Sequence, residues 1–319
     1  MQYRRLGRSG IRLSVVGLGN WLTFGRGVDE IRSRACIRRA FELGVNLFDT
    51  ADVYHKGVGE EVYGRELKAF RRRELVIATK CFFPFTEAVN DRGLSRKHIF
   101  ESLHDSLRRL QTDYIDLYQC HRHDPEVELF EVVRAMDDAV RQGKILYWGV
   151  SEWPAAAIEQ ACDLAAQMHA CPPASNQPEY SLAARRVETN GVQAACVQHG
   201  LGMVVWSPLR QGLLTGKYAG GTAPPGSRAA DPLMNQFLPR IDRRVVDRVE
   251  QLRPLAEKRG FTLAQLALAW LLKREGVTSA IIGATRVEQI EENCGAAEIP
   301  LDEEVLRRVE ELFPPAEFQ

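Results

Sequence analysis

The chain lacks an excess of charge of either sign. Its 42 Lys and Arg face 42 Asp and Glu over 319 residues, so the basic footprint that coats nucleic-acid phosphates is missing. It also lacks a long apolar run: every candidate is cut by Gly, Lys or Asp within a few positions, short of the roughly 18–20 residues that cross a bilayer. The opening Met1 to Leu13 carries four arginines where an export signal would need an apolar core of about 7–15 residues. There is no C-x-x-C, and the seven cysteines are scattered and odd in number, which argues against a disulfide framework or zinc knuckle and reads as the reduced thiols of a cytoplasmic protein. The glycine fingerprint of a doubly wound dinucleotide fold is absent too: Gly17 and Gly19 are followed by Asn20, Trp21 and Leu22, where a third small residue and an opening helix would be needed. No break in composition marks a second domain.

What is present is a repeated unit. Four times an amphipathic segment ends in glycine and a short apolar run begins at once: Gly44 before Val45 to Asp49, Gly143 before Lys144 to Val150, Gly200 before Leu201 to Ser207, and Gly276 before Val277 to Gly283. A glycine past the last helical turn takes the left-handed conformation that satisfies the free carbonyls, and the chain then turns into a strand. Runs at Val15 to Gly19, Leu75 to Lys80, Tyr114 to His121 and near Pro173 to Gln177 bring the strands to eight. Helices are expected over Asp29 to Leu43, Glu60 to Lys68, Ser95 to Leu110, Glu128 to Gln142, Pro154 to Met168, Val187 to His199 and Thr262 to Lys273. The strands are continuous apolar runs, as in parallel sheets buried on both faces. Eight such units suit a (β/α)8 TIM barrel, which needs about 250 residues. One barrel domain over 1–319 is expected, with an N-terminal β-hairpin at its bottom, extra C-terminal helices, and a long loop from about Tyr218 to Leu238.

In such a barrel the side chains at the carboxyl ends of the strands face the active site. Here those ends carry Asp49 and, just beyond it, Tyr54, then Lys80, His121, Ser151-Glu152 and Trp206-Ser207-Pro208. Singly each has a bland reading, as a capping Asp, a surface Tyr or a solvated Lys; the ordered set favours catalysis. His121 and His123, two apart on one strand face, could ligate a metal, but the seventh and eighth strands end in Trp206-Ser207 and Gly283-Ala284-Thr285 and add no further ligand.

The pieces NLFDTADVY, LVIATK, YIDLYQCH, GVSEW, NQPEYSL, WSPLRQGLLTGKY and IIGATRVEQIEEN, in this order over nearly the whole chain, resemble the aldo-keto reductase superfamily. The last three resemble most the branch with voltage-gated potassium channel β subunits and bacterial aldehyde reductases. The resemblance implies a nicotinamide cofactor bound without a Rossmann domain, and carbonyl reduction. Hydride delivery to a carbonyl carbon leaves negative charge on its oxygen, which calls for a proton donor and a positive field. Tyr54 suits the donor, with Lys80 beside it to lower its pKa and Asp49 as the counter-ion. By resemblance His121 holds the carbonyl.

The resemblance further implies Ser151 and Gln177 on the nicotinamide carboxamide, with Glu152 beside them, Trp206 stacked on the ring, and Asn20 and Trp21 nearby. Ser207, Pro208, Leu209, Gln211 and Lys217 resemble the segment along the pyrophosphate, with Arg228 folding over a phosphate. Gly283, Thr285, Arg286, Gln289, Glu292 and Asn293 open the last barrel helix, whose N-terminus suits an anion. Thr285 and Arg286 favour the 2′-phosphate of NADPH, and Glu292 would meet the adenine or simply be solvated. Glu152 departs from the family's usual Asn, and Arg122 and His123 depart from its Trp and Pro, so the mouth is lined with donors and suits a polar or acidic substrate. The expectation is an NADPH-dependent aldehyde or ketone reductase acting on a small carbonyl compound, without nucleic-acid or membrane partners and with homo-oligomers possible. A cofactor-binding, redox-sensing regulatory subunit is the alternative; the channel branch carries an amide where this chain has His121.

Overall fold

The computed structural model describes residues 1–25, 27–231 and 241–319; residues 232–238 of the expected long loop lie outside them. Two antiparallel strands, β1 (Tyr3–Arg5) and β2 (Arg12–Ser14), form the N-terminal hairpin. Eight parallel strands follow: β3 (Val16–Gly19), β4 (Leu47–Asp49), β5 (Val76–Cys81), β6 (Ile115–Cys120), β7 (Ile145–Ser151), β8 (Ser175–Gln177), β9 (Gly202–Val205) and β10 (Val277–Ile282). They close in the order β10-β3-β4-β5-β6-β7-β8-β9, the expected (β/α)8 barrel.

The helices are α1 (Glu30–Glu42), α2 (Val58–Glu66), α3 (Arg96–Leu110), α4 (Leu129–Arg141), α5 (Ala155–Gln167), α6 (Val192–His199), α7 (Arg243–Glu250), α8 (Arg253–Glu257), α9 (Leu263–Leu272), α10 (Val287–Gly295) and α11 (Glu303–Leu312). Their starts are set locally. Asp29 accepts from the Arg32 N–H, Ser95 from His98 and Asp302 from Val305, and Thr262 with Gln265 makes a reciprocal capping box, each satisfying donors a helix start leaves free. The glycines between helix and strand are left-handed as expected. At Gly44, φ is 87° and an added Cβ would stand 2.9 Å from the Tyr3 hydroxyl, which donates to the Gly44 carbonyl.

Three expectations are corrected. The helix expected over Val187 to His199 is broken into a 3-10 turn at Arg186–Glu188 and α6, because Gly191 is left-handed (φ 83°) and the Asn190 side chain caps Val192. The helix expected from Glu60 starts earlier, at Val58, and gives way to a 3-10 turn at Leu67–Ala69. The strand expected to reach Ser207 ends at Val205, with Ser207 left-handed. Helices α7 and α8 add to the expected set; Val245, Val246, Val249 and Leu252 are buried there at helical spacing.

Alternation along the strands separates two cores. Outward residues such as Phe48, Ile77, Tyr118, Cys120, Met203 and Val205 meet the helices. Inward residues Leu47, Val76, Ala78, Leu117, Val204 and Ile281 meet Leu6 and Leu13 of the hairpin inside the barrel, which fills and seals its bottom. Among the described residues no helix is long and apolar enough to cross a membrane.

Candidate active site at the carboxyl end of the barrel

Side chains two positions apart on a strand share a face. Continuing the inward rows past the apolar plug therefore leads from Leu47 to Asp49, from Val76 and Ala78 to Lys80, from Leu117 to Gln119 and then His121, from Ser175 to Gln177, and from Val204 to Trp206. Strand register aligns them: Asp49 pairs with Ala78, Lys80 with Gln119, and Ser151 with Gln177. The polar residues at the mouth are thus carried by the same rows that make the plug.

The Lys80 ammonium is buried and donates to Asp49 Oδ1 at 2.6 Å and to the Thr50 carbonyl at 2.7 Å. Its third neighbour is the Tyr54 hydroxyl at 3.3 Å. Burial opposes the charge on Lys80, but Asp49 and Tyr54 together hold its pKa above the ordinary lysine value. At Tyr54 burial pushes the phenol up, Lys80 draws it back, and the balance lies above the ordinary tyrosine value. This corrects the expectation that Lys80 would leave the phenol more acidic than usual: the ammonium acts as foreseen, but loss of water outweighs it, so the hydroxyl keeps its proton at neutral pH. His121 stands edge-on to Tyr54, with ring centres 5.8 Å apart. Burial, then Lys80 and Arg122, hold its imidazole well below the ordinary histidine value, so it is neutral.

Gln177 donates to Asp49 Oδ2 at 2.9 Å, and Ser151 Oγ donates to the Gln177 carbonyl at 2.9 Å. Asn20 is buried, its amide nitrogen bound to the Gly59 carbonyl and its Oδ1 without a partner among the described residues. Trp21 lies 6.4 Å from both Tyr54 and Trp206, edge-on to the latter. Glu152 turns away from a free role: its carboxylate accepts from the Trp206 indole N–H at 2.9 Å and the Glu179 backbone N–H at 2.6 Å, and pairs with Arg186 at 3.1 Å. It joins the loops after β7, β8 and β9, and orients Trp206.

After Trp206 the backbone runs through left-handed Ser207 (φ 54°), Arg210 (φ 46°), Gln211 (φ 52°) and Gly212 (φ 96°), with Pro208 and Leu209 within the turn. Within this turn the Arg210 N–H donates to the Ser207 carbonyl at 2.8 Å and the Gly212 N–H to the Leu209 carbonyl at 2.9 Å. A Cβ on Gly212 would stand 2.6 Å from the Lys217 ammonium, so the end of that otherwise exposed side chain packs on the turn. Loss of water, then the charges of Arg228 and Arg286, lower the Lys217 pKa, and burial lowers that of Arg228. Lys217 thus feels the charges of Arg228 and Arg286 beside this turn, and a group of cations so placed suits a phosphorylated ligand.

At the start of α10 the Thr285 N–H and hydroxyl both donate to Gln289 Oε1. Arg286 is exposed, 3.6 Å from Glu288. Asn293 is buried, Glu292 is half-buried with its carbonyl accepting from Gln265, and Gly283 is exposed.

Sequence reasoning missed Gln119, which bridges Asp49 (3.5 Å) and Gln177 (3.4 Å); its inward parity with His121 was the available signal. It also missed the buried Glu60, which accepts from Thr79 at 2.6 Å and from Arg109 at 2.6 Å behind Lys80. No local pattern marks that group. Among the described residues no cluster of three His, Cys, Asp or Glu could hold a metal; His123 packs instead on Trp153, with ring centres 5.1 Å apart.

A closed parallel barrel with a phenol, an ammonium, a carboxylate and an imidazole at its carboxyl mouth defines a class of oxidoreductase barrels. The Aldo/keto reductase family model matches residues 15–313, and the chain belongs to that family, whose members generally use NAD(P)H. It is similar to the putative voltage-gated potassium channel subunit beta of Schizosaccharomyces pombe, at 42% identity over 99% of this chain and 95% of that protein. It is similar as well to the probable voltage-gated potassium channel subunits beta of rice, at 41% over 97% and 96%, and of Arabidopsis thaliana, at 41% over 94% and 92%.

Proposed function

We propose that the protein reduces aldehydes or ketones to alcohols with NADPH. The observation that carries the reading is the buried Lys80, 2.6 Å from Asp49 and 3.3 Å from Tyr54, beside a neutral His121. NADPH, when bound, supplies the hydride that adds to the carbonyl carbon and is left as NADP+. Tyr54 gives its phenolic proton to the carbonyl oxygen, and solvent restores that proton afterwards. Lys80 stabilises the phenolate left behind, Asp49 keeps Lys80 charged and fixed, and His121 donates a hydrogen bond that sets the angle of the carbonyl.

Ser151, Gln177 and Asn20 would hold the carboxamide side of the cofactor, with Trp206, oriented by Glu152, and Trp21 against the ring. The turn from Ser207 through Pro208 and Leu209 to Gln211, with Lys217, would take the pyrophosphate. Arg228, Thr285 and Arg286 suit the 2′-phosphate, with Gln289, Glu292, Asn293 and Gly283 shaping the adenosine end. The substrate is a small carbonyl compound, and we place the protein in the cytoplasm as a single barrel domain able to self-associate. The test is NADPH oxidation with 4-nitrobenzaldehyde: turnover that Tyr54→Phe abolishes supports the reading.

A second reading is a redox-sensing regulatory subunit, favoured by the names of the relatives. Tight NADPH binding by the wild type with no turnover on any aldehyde would favour it. His121 weighs the other way, since it can donate to a carbonyl oxygen.

A further inference from the structure

Three charge pairs stand around the substrate side of the mouth. Asp49 pairs with Lys80, Glu152 with Arg186 and Glu179 with Arg210. Arg122, on the loop that follows β6, has no carboxylate partner among the described residues. Its Nη1 donates to the His121 carbonyl at 2.6 Å, and its guanidinium carbon lies 5.5 Å from the centre of the Phe83 ring. Phe83 in turn stands edge-on to His121 at 5.0 Å. The guanidinium is therefore held one ring away from the imidazole, itself next to Tyr54, with part of its donor fork unengaged.

The charge of Arg122 reaches the reacting groups, for it lowers the pKa of both Tyr54 and His121. His123 next to it contributes no charge at neutral pH, since burial keeps its imidazole below the ordinary value. We infer that Arg122 anchors an anionic group on the substrate, so that the site selects carbonyl compounds carrying a carboxylate. A guanidinium presents paired N–H groups in one plane, which match the two oxygens of a carboxylate. Phe83 lies between this anchor and His121 and offers its face or edge to the carbon skeleton joining the two ends of the substrate. The inference rests on the reductase reading and narrows its substrate class.

The test compares 4-carboxybenzaldehyde with its neutral methyl ester, methyl 4-formylbenzoate, as substrates with NADPH. Wild type favours the acid in kcat/KM. In Arg122→Met the acid-to-ester ratio falls by about 10- to 100-fold, mainly through KM for the acid, and Arg122→Lys restores part of it. Ester turnover by the methionine variant reports that it is folded. Should that variant lose both activities, the wild-type ratio decides: a fall with rising salt supports the anchor, and a constant ratio overturns it. Equal ratios in wild type and Arg122→Met, or a wild type that favours the ester, overturn the inference and leave the reductase standing. No turnover of either compound by wild type removes the reductase reading and the inference with it.

Discussion

At one end of the barrel Leu6 and Leu13 meet Leu47, Val76, Ala78, Leu117, Val204 and Ile281; at the other, β4, β5 and β6 present Asp49, Lys80 and Gln119 with His121 just beyond, and β8 adds Gln177. The two ends are one or two residues of inward parity apart, yet one is a dry apolar plug and the other a network in which buried charges and amides partner one another. The contrast shows how the fold divides its tasks. Apolar burial at the bottom holds the cylinder, so the top can carry a buried ion pair whose worth to stability is small or negative. The hairpin makes this division possible: its turn brings Gly7 against the backbone of Gly200 and Gly202, and its leucines close the end that has no chemistry.

The largest effect is expected from Tyr54→Phe. Loss of the proton donor should cost about 10²–10⁴ in kcat while the thermal midpoint and NADPH affinity stay near wild type; steady-state kinetics with a calorimetric scan would show a large stability change instead if the upper end were structural. Next comes Leu13→Ala in the plug. It should cost about 2–5 kcal/mol in stability by denaturant titration, with kcat of the folded protein retained; a loss of kcat at preserved stability would mean that the ends are not separate. A smaller effect is expected at the rim of the upper end, where Arg286→Ala should lower NADPH over NADH preference by about tenfold. Unchanged preference in competitive binding would remove Arg286 from cofactor choice.

The smallest effect is a slope. The His121 imidazole is held well below its unfolded value of 6.5, and His98 is lowered in the same sense by burial. Below pH 6.5 the unfolded chain therefore binds more protons than the folded one, and stability falls as the pH drops through that value toward the folded pKa. Each group contributes up to about 1.4 kcal/mol per pH unit. His121→Gln should flatten the stability profile between pH 6.5 and the acid limb, leaving the shares of His98 and His123, both lowered by burial; an unaltered profile would show that His121 is not buried neutral.

Much of the barrel and of the upper cluster was legible in the chain because the signals are local. Glycine after a helix followed by an apolar run marks a strand start, and Asp49, Tyr54, Lys80 and His121 follow their strands within a few residues. The role of Glu152 was not legible, because its partners Glu179, Arg186 and Trp206 lie on other loops and meet it only when β7, β8 and β9 are side by side. Nor was the Glu60 group with Thr79 and Arg109, whose members are drawn from three elements. The direction of the Tyr54 shift was misread for a related reason: a neighbouring cation can be inferred from a motif, whereas the extent of desolvation depends on every atom that encloses the phenol.

The chain by itself determined the alternation of strand and helix, the inward parity that puts polar residues above the apolar plug, and the identity of the groups at the mouth, because these depend on periods of two and 3.6 residues and on turn chemistry. The folded barrel alone sets which charges are matched, leaves Arg122 without a carboxylate among the described residues, and brings Lys217 within reach of the charges of Arg228 and Arg286 beside a left-handed turn. Those outcomes depend on distances between residues far apart in sequence, and Coulombic and desolvation energies follow distance and enclosure rather than order along the chain.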